Sequence, residues 1–244
     1  MTYSESQIGT KPNPQCTLCE MAGEPIYENL RDQLFGAPGE WDMKRCSNPD
    51  CGLLWLDPMP AENDLGKAYI NYYTHEDADV PSATPLRRAY RQIKTAYLAN
   101  KFGYSKKDVS VLFRLLGSCF YLAPGRRASL DASVFHLPAQ PGARLLEVGC
   151  GNGGAMRRMA DLGWDVEGVD FDEKSVSNAR SKGLNVHHGD LVAQEFESGS
   201  FDAVVMSHVI EHVPNPLRVL QESHRVLKPG GVLVVLTPNT ESLG

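Results

Sequence analysis

The sequence lacks any apolar run long enough to cross a bilayer, and it lacks a charged start followed by a short apolar stretch. No transmembrane helix and no secretory leader are therefore expected, and a cytoplasmic location follows. In that reducing setting the six cysteines are expected as thiols or thiolates rather than disulfides. Basic excess is also missing: 24 Lys and Arg stand against 30 Asp and Glu, a net charge of −6. That leaves no bulk electrostatic footprint for nucleic acid, although a local patch stays open. No internal repeat is present, which removes solenoid and propeller architectures. What remains is 244 residues of 42% hydrophobic composition, enough for one substantial core and a small extra module.

The most informative stretch is residues 145–154, LLEVGCGNGG. A short apolar run ends in Glu147, and glycines follow at 149, 151, 153 and 154. This reads as a strand, a tight loop without bulky side chains, and a helix. Glycine permits the sharp turn and lets a ligand approach main-chain N–H groups. Gly149, Gly151 and Gly154 fit the dinucleotide fingerprint G-x-G-x-x-G. Glu147, Gly149, Gly151 and Gly153 fit E-x-G-x-G-x-G, typical of S-adenosylmethionine (SAM) sites, with Cys150 as a small residue inside the loop.

The residues downstream arbitrate. Apolar residues at helical spacing over 155–162 precede a stop at Gly163. Residues 166–170 read as a second strand ending in Asp170, about 20 residues past the loop, where a carboxylate can accept both ribose hydroxyls. Phe171 follows it and can either lie beside the adenine or be plain core. Residues 172–182 read as a helix capped by Asp172. A third strand, 184–187, leads to Gly189, Asp190 and Leu191, where Asp190 can accept from the adenine amino group. The near-continuous apolar run 203–206 suits a strand buried on both faces of a parallel sheet, with Ser207 at its end. His208, Glu211 and His212 follow, then a helix over 216–227, a Lys228-Pro229-Gly230-Gly231 corner and a fifth strand over 232–236. The alternation specifies an α/β fold: a doubly wound, Rossmann-like, mostly parallel sheet with helices on both faces. Ligands of such sheets sit at the carboxyl ends of the strands, where these polar residues cluster.

In this ordered combination the chain resembles the class I SAM-dependent methyltransferases over roughly residues 145–239. The resemblance rests on the Glu147–Gly153 loop, Asp170, Gly189-Asp190, Phe201-Asp202, Glu211-His212-Val213 and Lys228-Pro229-Gly230-Gly231. It implies SAM as cofactor, held by Glu147, Gly149, Cys150, Gly151, Gly153, Asp170, Phe171, Gly189, Asp190, Leu191 and Ser207. Members of the family add two further strands after the fifth. Only five residues follow Asn239, so a fragment or a shortened member lacking its last strands is expected.

At the front, Cys16 and Cys19 (Cys-x2-Cys) and Cys46 and Cys51 (Cys-x4-Cys) are separated by 26 residues. Two such pairs brought together by a hairpin can hold one tetrahedral zinc, and four sulfur ligands leave no open position, so the metal is expected to be structural. A segment this small has little core, and metal binding can supply its folding energy. Such a module ahead of the methyltransferase domain resembles bacterial sugar and NDP-sugar methyltransferases and related enzymes of polysaccharide or natural-product assembly. The aromatic segment 68–73, with Tyr72 and Tyr73, is similar to the one that follows zinc in those proteins. The organisation expected is a zinc module over residues 1–75, a linker and helical lid or packing region over 76–128, and the SAM domain over 129–244. Helices are expected over 86–102 and 106–122, the second with Cys119 in its core. That second helix suits packing on the domain, a lid, a subunit interface in a homo-oligomer, or a membrane-surface face with Arg126 and Arg127.

Methyl transfer from SAM is an in-line displacement in which the protein mainly aligns donor and acceptor. An oxygen or activated-carbon acceptor also needs a base of near-neutral pKa. His212 is the first candidate, His208 the second, with Glu211 orienting a histidine or touching substrate. On a helix His208 and His212 would share one face at i and i+4. The same run also permits a divalent metal, although His208 replaces the first Glu of the Glu-x-x-Glu-His pattern. The acceptor expected is a small molecule, most plausibly a sugar or natural-product precursor such as a nucleotide sugar. The alternatives are RNA-directed methylation, a non-catalytic SAM-binding or partner-docking protein, and an NAD-dependent oxidoreductase. The last would need a Tyr-x-x-x-Lys after the fourth strand, which is not there.

Overall fold

The structure is a computed structural model that describes residues 8–33, 36–64, 67, 84–104 and 110–239. The chain forms two compact units, Met1–Tyr73 and Thr74–Gly244. Residues 68–73, expected as an aromatic segment, lie outside the described residues, as do 76–83 of the expected linker.

The first unit is built from short antiparallel strands. β1 (Thr10–Lys11) pairs with β5 (Met59–Pro60), and β2 (Gly23–Leu30), β3 (Trp41–Cys46) and β4 (Leu54–Leu56) form a three-stranded sheet. Its buried hydrophobic cluster is only Cys16, Cys46 and Trp55, with Cys19, Cys51 and Leu53 packed around them. So small a core leaves the sulfurs as the centre of the unit. Trp55 is fixed by its indole N–H, which donates to the Asn13 carbonyl at 2.7 Å.

The second unit begins with α1 (Pro85–Phe102), α2 (Val111–Gly117) and α3 (Pro124–Ala132). Thr84 caps α1 and Ser110 caps α2 through their side-chain oxygens. Within the expected helix 106–122, residues 106–109 are not described, and the remainder divides into α2 and a 3-10 turn over Ser118–Leu122. Cys119, expected in the core, is exposed. The core positions there belong to Gly117 and Phe120, which face α1. A Cβ at Gly117 would meet the Tyr97 backbone nitrogen at 2.8 Å, so only glycine allows the two helices this close. Buried Asp131 joins α3 to α1 by accepting from the Tyr97 hydroxyl at 2.7 Å and the Lys101 ammonium at 2.6 Å.

The sheet strands are β6 (Arg144–Val148), β7 (Asp165–Asp170), β8 (Asn185–His188), β9 (Phe201–Ser207) and β10 (Leu227–Leu236). Their order is β10-β9-β6-β7-β8 and every pairing is parallel. The helices between them are α4 (Gly154–Asp161), α5 (Glu173–Ser181) and α6 (Pro216–Val226). This is the doubly wound, Rossmann-like sheet that the alternation predicts. Leu145, Ala203 and Val205 pack on one face with Met159 and Trp164. Leu146, Val148, Val204 and Met206 pack on the other with Phe201 and Val226. Two buried faces explain the unbroken apolar run of β9. Tyr104 ties the preceding helices to the first face, donating to the Leu137 carbonyl and accepting from the Trp164 indole at 3.0 and 3.1 Å.

Two of the sequence motifs belong to the scaffold. Asp202 accepts from the Arg144 backbone N–H at 2.8 Å and from Lys228 at 2.7 Å, joining three strands at the amino-terminal end of the sheet. The Pro229-Gly230-Gly231 corner lies in the register shift of β10 between Leu227 and Val232. Asp172 caps α5 by accepting from the Ser175 N–H at 3.0 Å, an interaction worth about 1 kcal/mol. Among the described residues no helix is long and apolar enough to cross a membrane.

Candidate functional site

The strand order reverses between β6 and β9, which are adjacent in the sheet while their following helices lie on opposite faces. Loops leaving a pair of strands at such a point diverge and open a crevice. The glycine loop leaves β6 there. Gly149 N–H donates to the Val169 carbonyl at 2.8 Å, and Gly151 N–H donates to Asp170 Oδ2 at 2.7 Å. The end of β7 therefore fixes the loop. Gly149 has φ +70°, and a Cβ there would stand 2.3 Å from Val209 Cγ2. The segment after β9 is thus seated directly on the loop after β6. A Cβ at Gly151 would meet nothing within 4 Å, so that part of the loop faces open space.

Three carboxylates stand at this end of the sheet. Glu147, on β6, is 5% exposed, and its Oε2 has no hydrogen-bond partner. Burial pushes its carboxyl up to about 8, with Asp170 adding to the rise and Arg158 and the Met156 backbone N–H opposing it. Asp170 is 8% exposed and accepts from Gly151 N–H and, at 2.9 Å, from Asp172 N–H. Its pKa is also raised, by burial, against those two bonds. Asp190 is exposed and its Oδ1 accepts from Ala193 N–H at 2.7 Å, shaping the turn in which Leu191 is buried. Gly189 N–H donates to the Asp170 carbonyl at 2.9 Å, so β7 and the turn after β8 are joined as well. Phe171 is 59% exposed. Cys150 is buried, and burial pushes its thiol far above the ordinary range, so it is a neutral packing group.

The predicted cofactor residues are thus drawn from the ends of β6, β7, β8 and β9, including half-buried Ser207. The chemistry of SAM fits this donor set. Its ribose hydroxyls, adenine amino group and ammonium are donors, and the carboxylates are acceptors.

His208, Glu211 and His212 follow β9 but do not share a helix face. His208 has a left-handed φ of +54°, and Ile210–His212 is a single 3-10 turn. The left-handed backbone at His208 and the single 3-10 turn after it break any α-helical turn between them. His208 N–H donates to the Leu236 carbonyl at 2.8 Å, tying the segment to β10. Glu211 Oε1 lies 3.4 Å from His208 Nδ1 and 4.0 Å from His212 Nε2, so the carboxylate sits between the imidazoles. Burial lowers the His212 pKa and His208 pushes the same way, against Glu211. That lowering favours the neutral imidazole, the form able to accept a proton. Left-handed backbone at a bulky residue is uncommon and concentrates at functional loops.

Sequence reasoning missed two residues here. Val209 closes the glycine loop, a contact with no sequence signal because it joins segments 60 residues apart. His188 Nε2 lies 3.0 Å from the Phe171 carbonyl, to which it donates, and so steadies the loop after β7. Its place at the very end of β8 was the available clue.

In the first unit Cys16, Cys19, Cys46 and Cys51 converge, with all four Sγ atoms within 4.8 Å of one another. Cys16 and Cys51 are 3.6 Å apart and Cys19 and Cys46 are 3.3 Å apart. Disulfides need about 2.05 Å. Tetrahedral zinc with 2.3 Å bonds sets sulfurs about 3.8 Å apart, so the cluster is compatible with zinc. The N–H groups of Leu18 and Asn48 point at Cys16 and Cys46 Sγ, each at 3.4 Å, which favours thiolates. Among the described residues this is the one such group that could hold a metal, and His208, Glu211 and His212 do not form another.

A family profile described as "Methyltransferase domain" matches residues 146–235. The chain is 39% identical over 100 residues to a Mycolicibacterium smegmatis protein named "Probable S-adenosylmethionine-dependent methyltransferase", covering 40% of this chain and 39% of that one. It is 40% identical over 109 residues to the ubiquinone biosynthesis O-methyltransferase of Xanthomonas campestris pv. campestris, covering 41% and 45%. The matched stretch is thus less than half the length of these relatives. An S-adenosylmethionine-dependent methyltransferase structure from Mesorhizobium loti aligns with a TM-score of 0.41 at 30% identity, covering 44% of this chain and 52% of that one.

Glu147 gives a testable pH dependence. Its folded pKa of about 8 lies above the unfolded value of 4.5, so its effect on stability is complete below pH 4.5 and is lost as pH rises towards 8. Glu147→Gln keeps the neutral shape and removes this loss. Urea unfolding from pH 5 to 8 is expected to show the variant gaining on the parent by up to ~1.4 kcal/mol per pH unit. A difference that is flat with pH would show that Glu147 is not held neutral.

Proposed function

We propose that the chain is an enzyme built on the class I SAM-dependent methyltransferase domain that residues 146–235 form, and that it methylates a small-molecule acceptor, a sugar or natural-product precursor such as a nucleotide sugar. The observation that carries the cofactor assignment is the set of buried and exposed carboxylates, Glu147, Asp170 and Asp190, gathered around a glycine loop that Val209 backs on one side.

SAM, when bound, supplies a methyl group on a sulfonium with a good leaving thioether. Asp170 holds the ribose hydroxyls with oxygens already oriented by Gly151 and Asp172. Asp190 takes the adenine amino group, Phe171 and Leu191 line the adenine, and Glu147, Gly149, Cys150, Gly151, Gly153, Gly189 and Ser207 shape the remainder. Neutral His212 accepts the proton that the acceptor hydroxyl loses, and Glu211 stabilises the imidazolium that forms. His208 is the alternative base, exposed on the same turn.

The sugar reading rests on the pairing of this domain with an N-terminal four-cysteine module. A phenolic acceptor is the second reading, favoured by the relative named a ubiquinone biosynthesis O-methyltransferase. Assays with methyl-labelled SAM against nucleotide sugars and against catechol-type phenols separate the two. Transfer to the sugar nucleotides alone is the expected result, and transfer to the phenols alone contradicts it. His212→Ala is expected to lower kcat by about 10²–10⁴-fold at neutral pH. In the parent, kcat should fall on the acid side only below the ordinary histidine range, because burial lowers the His212 pKa and the base must be deprotonated. An unchanged low-pH limb in His212→Ala would move the role elsewhere.

The cysteine cluster is proposed to bind one structural zinc. Elemental analysis should give one zinc per chain, reduced to near zero in Cys46→Ser, with the first unit unfolding on chelation. One folded, metal-free chain at full stability would contradict the assignment.

A further inference from the structure

The helices ahead of the sheet carry both an uncovered apolar face and a concentration of positive charge. α2 reads VLFRLLG, with Arg114 its one polar side chain. Gly117 is buried and Phe113 half-buried on the side facing α1. On the other side Val111, Leu112 and Leu115 are 75%, 63% and 68% exposed, and Leu122 just beyond is 87% exposed. On α1, Leu86 extends the Tyr90–Ile93–Tyr97 stripe by one turn and is 80% exposed. A helix that is apolar on two sides is accommodated when a second apolar phase covers the outer one.

The surrounding charge identifies that phase. Residues 84–130 contain ten lysines and arginines against a single aspartate, in a chain whose net charge is −6. Arg87, Arg88, Arg91, Arg114 and Arg126 are all exposed. Charge and apolar surface are contiguous: Arg126 lines the same cavity as Tyr90 and Leu116, and Arg127 lies over the exposed Tyr121 ring at 5.9 Å. A nucleic acid would use the cations but not the protruding aliphatic side chains. A second copy of this chain would set like charges against each other. An anionic bilayer surface uses both, taking aliphatic side chains at its acyl boundary and pairing its phosphates with the arginines. We propose that α2 and the start of α1 dock this chain on an anionic phospholipid surface, lying on it and not crossing it. The inference is independent of the acceptor assigned above.

Co-sedimentation of the full chain with vesicles tests it, using phosphatidylcholine alone and phosphatidylcholine mixed with phosphatidylglycerol. Binding is expected to the mixed vesicles only and to weaken as salt is raised. Leu112→Ser/Leu115→Ser should reduce partitioning at least about tenfold. Arg87→Ala/Arg126→Ala, which alters no packed side chain, should reduce it roughly 25-fold. Circular dichroism melts should match the parent for both, since all four side chains are solvent-facing. Absence of binding to the mixed vesicles would overturn the proposal. So would equal binding to both lipids, or a dimer seen by light scattering that the leucine variant disperses while vesicle binding is absent.

Discussion

Gly151 donates to Asp170 Oδ2, and Gly149 donates to the Val169 carbonyl. These two bonds hold the loop after the first sheet strand against the end of the second. Val209, arriving from the fourth strand, occupies the space where any Cβ on Gly149 would sit. Three strand ends are thereby locked around one turn. Once they are, the positions of Glu147, Asp170, Phe171 and the His208–His212 segment follow, because each lies within a few residues of a locked end. The cost is concentrated there as well: two buried carboxyls with raised pKa values and a histidine in left-handed backbone. Strand ends locked in this way hold the polar groups of the loops in fixed positions.

The strands, their order of appearance and the parallel class were legible because each apolar run is short, buried on both faces and followed by a helix-spaced segment. Asp172 as a cap and the end of α4 before Gly163 were legible because local chemistry decides them. The turn at His208–His212 was not. Its spacing suits a helix, but the segment is held by a bond from His208 N–H to β10 and by Val209 against the glycine loop, both long-range. Cys119 failed for a related reason: periodicity says which residues share a face, not which of two apolar faces is covered. The motifs Phe201-Asp202 and Lys228 to Gly231 point to the domain but lie at the opposite end of the sheet from the residues proposed to hold the cofactor, where they hold strands together.

The two units obey different rules. The sheet unit has clusters of large aliphatic and aromatic side chains on both faces. Among the described residues the first unit has four buried hydrophobic residues, Ile8, Cys16, Cys46 and Trp55, and its four cysteine sulfurs converge within 4.8 Å of one another.

Hydrogen exchange read by mass spectrometry, with and without SAM, tests most directly whether the cofactor sits where β6 and β9 part. Protection is expected over residues 147–154, 170–172, 189–191 and 207–212 with SAM and not with NAD. Protection by NAD instead, or SAM-dependent protection confined to other segments, would contradict a SAM site at this crevice.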